Sequence, residues 1–407
     1  MAPSPFGVMP VEEHETPDPR GQGRQALTDR TLLLAARGLR AFAFGFSAVL
    51  LGVHLEAAGL GPGQIGLALG IGLAAASLTG LGSAALSSRL GRRRTLAVIG
   101  LLMVLTGLDL ALAQAPWLLV LSGATGMLGA ASVDYGPFAS VEQAVVAETA
   151  TPQGRNRAFG RYSLTGGLFN AAGGLAAAAF SSTRFYFLLY AAVGLVTAVL
   201  PLLMSPRVEG EPAPRVFGSF RPLGALAGLF ALDSLGGGFV ANAVIAYWLH
   251  VRFGAPPDLL GPIFAGVALM QSLSYEVSGR LADRFGLINT MVFTHLPSNL
   301  LLLLVPFSPT LAWAVALLLA RFALSQMDVP ARQAYIVSIV PPGERAGAVA
   351  TTGAVRGVAM SFGPLLAGVA IGASAFGVPF FAGGGLKVVY DLALYAGFRN
   401  RPAEHET

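Results

Sequence analysis

Apolar residues in this chain come in long blocks, without the two-residue alternation of strands or the narrow apolar stripe of soluble helices. "TLAVIGLLMVLTGLDLALAQ" (95–114), "FYFLLYAAVGLVTAVLPLL" (185–203) and "TLAWAVALLLARFALSQ" (310–326) are typical. Segments of about 20 residues, rising ~1.5 Å per residue, cross a hydrocarbon core of roughly 30 Å. Polar breaks divide the chain into twelve such spans, near 31–54, 63–86, 95–114, 117–147, 158–180, 184–204, 222–249, 259–278, 290–306, 310–338, 347–373 and 376–398. The pattern predicts an all-α membrane protein of twelve transmembrane helices.

The longest internal polar segment, "SPRVEGEPAPRVFGSFR" (205–221), divides the spans six and six. The expected organisation is therefore a tail (1–30), a first six-helix bundle (31–204), a linker (205–221), a second bundle (222–398) and a short tail (399–407). The first 30 residues lack the apolar core of a signal peptide and are expected to be disordered.

Composition supports the membrane reading: of 407 residues 54% are hydrophobic and 12% charged, with a mean hydropathy of +0.66. Cysteine is absent, which excludes disulfides, thiolate metal sites and cysteine nucleophiles. The five histidines (His14, His54, His250, His295, His405) have no metal-ligand spacing. All 26 basic residues but Lys387 are arginine, and their placement matters more than the sequence pI near 9.8. They fall in alternate connections: Arg20, Arg24 and Arg30; Arg89 and Arg92 to Arg94; Arg155 and Arg157; Arg207, Arg215 and Arg221; Arg280 and Arg284; Arg345; Arg399 and Arg401. The other connections hold only Arg184 and Arg252. The positive-inside rule puts both termini in the cytoplasm, so the basic charge reflects topology and no nucleic-acid partner is expected.

The halves are copies. Gly66 and Gly91 match Gly261 and Gly286 at an offset of 195, and Asp134 matches Asp328 at 194. In the first span of each half, "FGF" (44–46) matches "GGF" (237–239) at 193. After a slip, Gln143, Pro152, Arg155, Gly167 and Gly173 match Gln333, Pro342, Arg345, Gly357 and Gly363 at 190. Such parallel repeats predict two pseudo-symmetric bundles about an axis along the membrane normal.

Two polar clusters carry a resemblance. "GRLADRFG" (279–286), between spans 8 and 9, resembles the Gly-x-Leu-Ala-Asp-Arg-x-Gly signature of the major facilitator superfamily, and "SSRLGRRR" (87–94), between spans 2 and 3, is its partial copy. The resemblance extends over all twelve spans. It implies that family's two-bundle fold, transport by alternating access, and a latch between the halves built from Arg89, Gly91, Arg92 and Arg93 with Gly279, Asp283, Arg284 and Gly286. The first copy has Ser88 at the acidic position and the second has Leu287 and Ile288 at basic ones, so Asp283 is expected to be the latch's main carboxylate. The sequence also departs from the family's drug exporters: Gly363–Pro364 lies in span 11 rather than span 5, and Ser122 stands near the arginine expected in span 4. "GPGQIG" (61–66) fits the dinucleotide fingerprint but follows an apolar span rather than a strand, and reads as a turn.

An ionisable residue inside the membrane needs a partner, water or a function. Arg40, Asp233, Arg321 and Arg356 fall at mid-depth, Asp109 in the outer part of span 3, and Asp134 and Asp328 toward the cytoplasmic ends of spans 4 and 10. Arg40 and Asp233 are repeat-equivalent and are expected to pair across the two bundles. Arg321, Ser325, Asp328 and Arg332 share one face of span 10, Thr352 and Arg356 one face of span 11, and Lys387 and Asp391 read as a local pair. These residues form the expected substrate and coupling site, with Asp233 as first candidate for a proton-exchanging carboxylate.

The expected function is secondary active transport of a small solute across the inner membrane of a bacterium, as proton-coupled export. Uptake or uniport of an organic anion or other metabolite is the alternative, and a non-transporting sensor or assembly partner on the same fold is a third. Lipid and protons are the other expected partners. No cofactor or enzymatic activity is expected, and the chain is expected to be a monomer. The arginines suit an anionic or zwitterionic solute; if the acids neutralise them, the apolar walls suit a lipophilic drug.

Overall fold

The computed structural model describes residues 19–130, 136–149, 155–180, 182–209, 224–340 and 345–399, and among them no strand occurs. The first bundle comprises α1 (Pro19–Ala57), α2 (Pro62–Leu90), α3 (Arg92–Leu112), α4 (Pro116–Leu121), α5 (Pro137–Thr149), α6 (Arg155–Ala176) and α7 (Thr183–Val199). The second comprises α8 (Gly224–Phe239), α9 (Asn242–Phe253), α10 (Pro257–Phe285), α11 (Leu287–Leu304), α12 (Leu311–Ser325), α13 (Asp328–Ser338), α14 (Arg345–Gly372) and α15 (Val378–Phe398). These account for all twelve expected spans, because spans 4, 7 and 10 are each broken in two. Among the described residues, eight of the spans are long and apolar enough to cross a membrane by length and composition alone. The first helix begins at Pro19 rather than near 31, and Asp29 near its start accepts hydrogen bonds from the Ser205 backbone and hydroxyl at 2.7 and 2.5 Å.

The breaks in spans 4 and 10 are held by neighbouring side chains, as an interrupted helix in an apolar medium requires. Between α12 and α13, Ser274 on α10 accepts from the Gln326 N–H at 3.2 Å and Tyr275 donates to the Gln326 side chain at 3.1 Å. After α4, Gly126 turns left-handed at φ 74°, Ser47 donates to the Leu128 carbonyl at 2.7 Å, and the Tyr190 hydroxyl donates to the Met127 carbonyl.

Repeat symmetry extends to backbone angles. Gly91 alone joins α2 to α3 with φ 82° and ψ 160°; Gly286 alone joins α10 to α11 with φ 83° and ψ 162°. Only glycine tolerates this region without strain. Each N–H closes the preceding helix, on Ser87 at 3.0 Å and Ala282 at 2.9 Å, and each carbonyl opens the next, accepting from Thr95 and Thr290 at 3.1 Å.

The bundles meet along α2 with α14, α6 with α10, and α1 with α9. Contact is closest at the end away from the Arg-rich turns. There a Cβ on Gly66 would press on the Pro364 carbonyl and lie 3.0 Å from the Gly368 Cα, one on Gly261 would lie 2.7 Å from the Gly174 carbonyl, and one on Gly52 would lie 2.8 Å from Tyr247. Toward the Arg-rich end, Gly82, Gly160 and Gly353 on α2, α6 and α14 have no such neighbour within 4 Å among the described residues. The glycines let the helices approach closely at the end away from those turns.

Candidate functional site

Arg40 and Asp233 do not pair; each finds its counterion inside its own bundle. Arg40 on α1 makes a bidentate bond to Glu142 on α5, at 2.7 and 2.6 Å, with both residues about 1% exposed. Tyr162 on α6 donates to the same carboxylate at 2.8 Å, and the Arg40 guanidinium lies over the Phe138 ring at 4.1 Å. Glu142 was absent from the sequence-based set.

Asp233 on α8 instead receives Lys387 from α15 at 2.6 Å and Arg332 from α13 at 3.3 Å, with His295 from α11 at 3.8 Å. Lys387 therefore spends its charge on Asp233 rather than on Asp391, one turn away on its own helix. Asp391 accepts from His295 and Asn299, both at 2.8 Å. Asp328 pairs with Arg332 at 2.7 Å. The two halves thus use one device with reversed polarity. Glu142 and Arg332 are separated by 190 residues, the offset that aligns Gln143 with Gln333, and Arg40 and Asp233 are already repeat-equivalent. A cation on α1 meets an anion on α5, and an anion on α8 meets a cation on α13.

The second bundle's charges border a cavity of about 230 Å³. Asp233, Arg321, Asp328 and Arg356 from the expected site line it, as do Ser325 and Arg332, so the shared face of span 10 survives the break at Gln326. Gln271, Tyr275, Asn242 and Gln333 add neutral polar groups. Arg356 donates through Nε to Ser234 at 3.0 Å. Arg321 is 5% exposed and lies over the Phe322 ring at 4.4 Å, with Nε and Nη1 lacking a hydrogen-bond partner.

Asp109 is half-buried on α3, away from the cavity, with Oδ2 unpartnered. Asp134 lies outside the described residues. Of the expected latch, Arg89, Asp283 and Arg284 are exposed, and Asp283 has no ion pair among the described residues. Gly279 lies within α10, about two turns before Gly286. Arg92 and Arg93 instead bind the end of span 6 and the start of the linker: Arg92 Nη1 donates to the Val208 carbonyl at 3.2 Å and Arg93 to the carbonyls of Pro201 and Leu202. The Arg92 N–H, first of α3, donates to Glu209. Glu209 thus supplies, from far along the chain, an acid to a copy that has Ser88 at the acidic position, and a carboxylate suits a helix N-terminus.

At the opposite end Glu56 on α1 meets α9. Tyr247 donates to one carboxylate oxygen at 3.3 Å and His250 Nε2 lies 3.3 Å from the other. His250 Nδ1 faces the Ala255 carbonyl at 2.8 Å; a carbonyl only accepts, so this nitrogen carries the hydrogen.

Comparison with known proteins gives a consistent result. The family model described as Major Facilitator Superfamily matches residues 33–230 and 226–407. An uncharacterised membrane protein of Saccharomyces cerevisiae, YJR124C, is 25% identical over 419 residues, spanning 91% of this chain and 94% of that protein. Among solved structures, the nucleoside transporter NupG (D323A mutant) superposes with a TM-score of 0.74 at 14% identity, over 91% of this chain and 99% of its own. The xylose transporter XylE from E. coli, in an inward-open conformation, gives 0.70 at 15% identity, over 92% and 98%.

Proposed function

The chain belongs to the major facilitator superfamily, and from that premise we propose a secondary transporter that moves a small solute across a membrane by alternating access. The observation that carries this reading is the one-sided closure. Glycine-lined contacts and the Glu56–Tyr247–His250 cluster seal one end, while toward the Arg-rich end Gly82, Gly160 and Gly353 of α2, α6 and α14 have no neighbour within 4 Å of a Cβ among the described residues. A polar cavity in the second bundle lies between them. The Arg-rich connections set that end in the cytoplasm, so this conformation faces inward, the state in which XylE was solved.

Proton coupling is the second element of the proposal. Asp233 is buried and held by Lys387 and Arg332, so a proton could replace a cation only if the bundle rearranges around it. A site that titrates only when the structure changes links protonation to conformation. The latch belongs to the other state. When the Arg-rich end closes, Asp283 on α10 would meet the exposed Arg157 or Arg161 of α6, the helix α10 packs against.

The natural chain holds no cysteine, which makes the test clean. Asn242→Cys, lining the cavity, should react with a membrane-impermeant thiol reagent from either face of the membrane. Gly66→Ile, which prevents close approach to α14, should shift that reactivity toward the face opposite the Arg-rich turns. Reactivity from one face alone in both backgrounds would contradict alternating access. Asp233→Asn should leave labelling from both faces intact but remove its dependence on pH.

A further inference from the structure

Resting on the transporter reading, we propose that the cavity binds a small organic anion, its carboxylate or phosphate oxygens held between Arg321 and Arg356. The first ground is charge balance. Around the cavity, four fixed cations (Arg321, Arg332, Arg356 and Lys387) face three carboxylates (Asp233, Asp328 and Asp391, the last reached through His295). Whatever the state of His295, at least one positive charge has no counterion among the described side chains.

The second ground is where the excess falls. Each carboxylate is committed: Asp233 to Lys387 and Arg332, Asp328 to Arg332, Asp391 to His295 and Asn299. Arg321 and Arg356 have no ion pair among the described residues, although both border the cavity. Arg321 is nine-tenths buried with Nε and Nη1 unbonded, and arginine cannot escape by losing its proton. Arg356 spends Nε on Ser234, with no further bond among the described residues. A buried guanidinium without an acceptor is costly, and a planar fork matches the two oxygens of a carboxylate or phosphate.

The first bundle supplies the contrast. Arg40 is buried as deeply and is fully answered by Glu142, so an unpaired arginine is not the rule in this protein. Cavity size and lining narrow the class further. About 230 Å³ lies below the roughly 300–1,000 Å³ of pockets for drug-sized ligands. Asn242, Gln271, Gln333 and Tyr275 offer hydrogen bonds to the rest of a hydrophilic solute. The positive excess disfavours a lipophilic cation.

The experiment is thermal unfolding of the detergent-purified full chain with acetate, succinate or inorganic phosphate. Glucose and uridine serve as neutral solutes and tetraphenylphosphonium as a lipophilic cation. At least one anion should stabilise the wild type, and its apparent affinity should fall at least tenfold in Arg321→Gln and in Arg356→Gln, with Arg321→Lys intermediate. The acetate, succinate and phosphate arms separate mono- from dicarboxylate and carboxylate from phosphate. Stabilisation by the neutral or cationic solutes alone, no response to any anion, or an anion response unchanged in Arg321→Gln would each overturn the proposal. The wild-type panel is decisive even where a variant fails to fold. Retention of two-faced Asn242→Cys labelling with no anion response would remove the anion and leave the transporter reading standing.

Discussion

Arg40 and Glu142 form the buried ion pair whose removal is most informative, because sequence alone had placed Arg40 in the transport site. Two hydrogen bonds between charged groups, at 2.6 and 2.7 Å and 1% exposure, are each worth about 1.5–3 kcal/mol. Together they suggest ~3–6 kcal/mol, in line with the ~3–5 kcal/mol typical of breaking a buried pair by removing one partner. Arg40→Met should therefore destabilise by about 3–5 kcal/mol, chiefly because Glu142 is left charged and buried with only Tyr162 donating. Glu142→Met should cost a similar amount by stranding Arg40. The double variant removes both charges and should lie within about 1–2 kcal/mol of wild type, since apolar replacement of a whole buried pair is often neutral. The coupling energy should thus be about 4–9 kcal/mol in magnitude, above the ~0.5–3 kcal/mol usual for contacting residues. Unfolding in mixed detergent micelles, followed by tryptophan fluorescence, measures all four proteins. Additive single effects would refute the reasoning. A stable double variant that no longer labels at Asn242→Cys from both faces would return Arg40 to the transport machinery.

Gly91→Ala and Gly286→Ala should each cost about 1–3 kcal/mol in thermal unfolding, from the forced positive φ. In Gly91→Ala the new Cβ would also lie 2.5 Å from a Glu209 carboxylate oxygen. Glu56→Gln should weaken the seal only modestly: its side chain is 41% exposed, and such pairs contribute ~0.2–1 kcal/mol. The ratio of inward- to outward-facing protein should fall about 1.4- to 5-fold by Asn242→Cys labelling; a complete switch to the outward-facing state would mean that the cluster, not the glycine contacts, closes that end.

Span number, the even division and the repeat were all legible in the sequence, because long apolar blocks and Arg-bearing turns follow directly from what a bilayer tolerates. The breaks in spans 4, 7 and 10 were not. In spans 4 and 10 freed backbone groups are satisfied by Ser47, Tyr190 and Ser274 from other helices, and such rescue has no local signature. The cavity was half legible: Asp233, Arg321, Asp328 and Arg356 carry their charge at visible depths, yet their partners lie across the bundle. Lys387 and Asp391 read as a pair because they are one turn apart, but α8 and α11 offer each a better-placed partner. Glu142 could have been found, since the offset that aligned Gln143 with Gln333 sets it opposite Arg332. His295, an ionisable group in the middle of an apolar span, carried its own warning.

The one-residue joints at Gly91 and Gly286 have a mechanical consequence. A hairpin with no slack cannot let its two arms slide, so α2 must carry α3 with it, and α10 must carry α11. Arg92 and Arg93 then clamp the foot of α3 to the end of span 6 and the start of the linker through Pro201, Leu202 and Val208. Displacement of α2 against α14 is thus geared to half of its bundle. In the proposed alternating-access cycle each hairpin would act as a stiff lever whose fulcrum is the far glycine contact, and a small tilt at Gly66 would be magnified at the other tip into the width of the doorway.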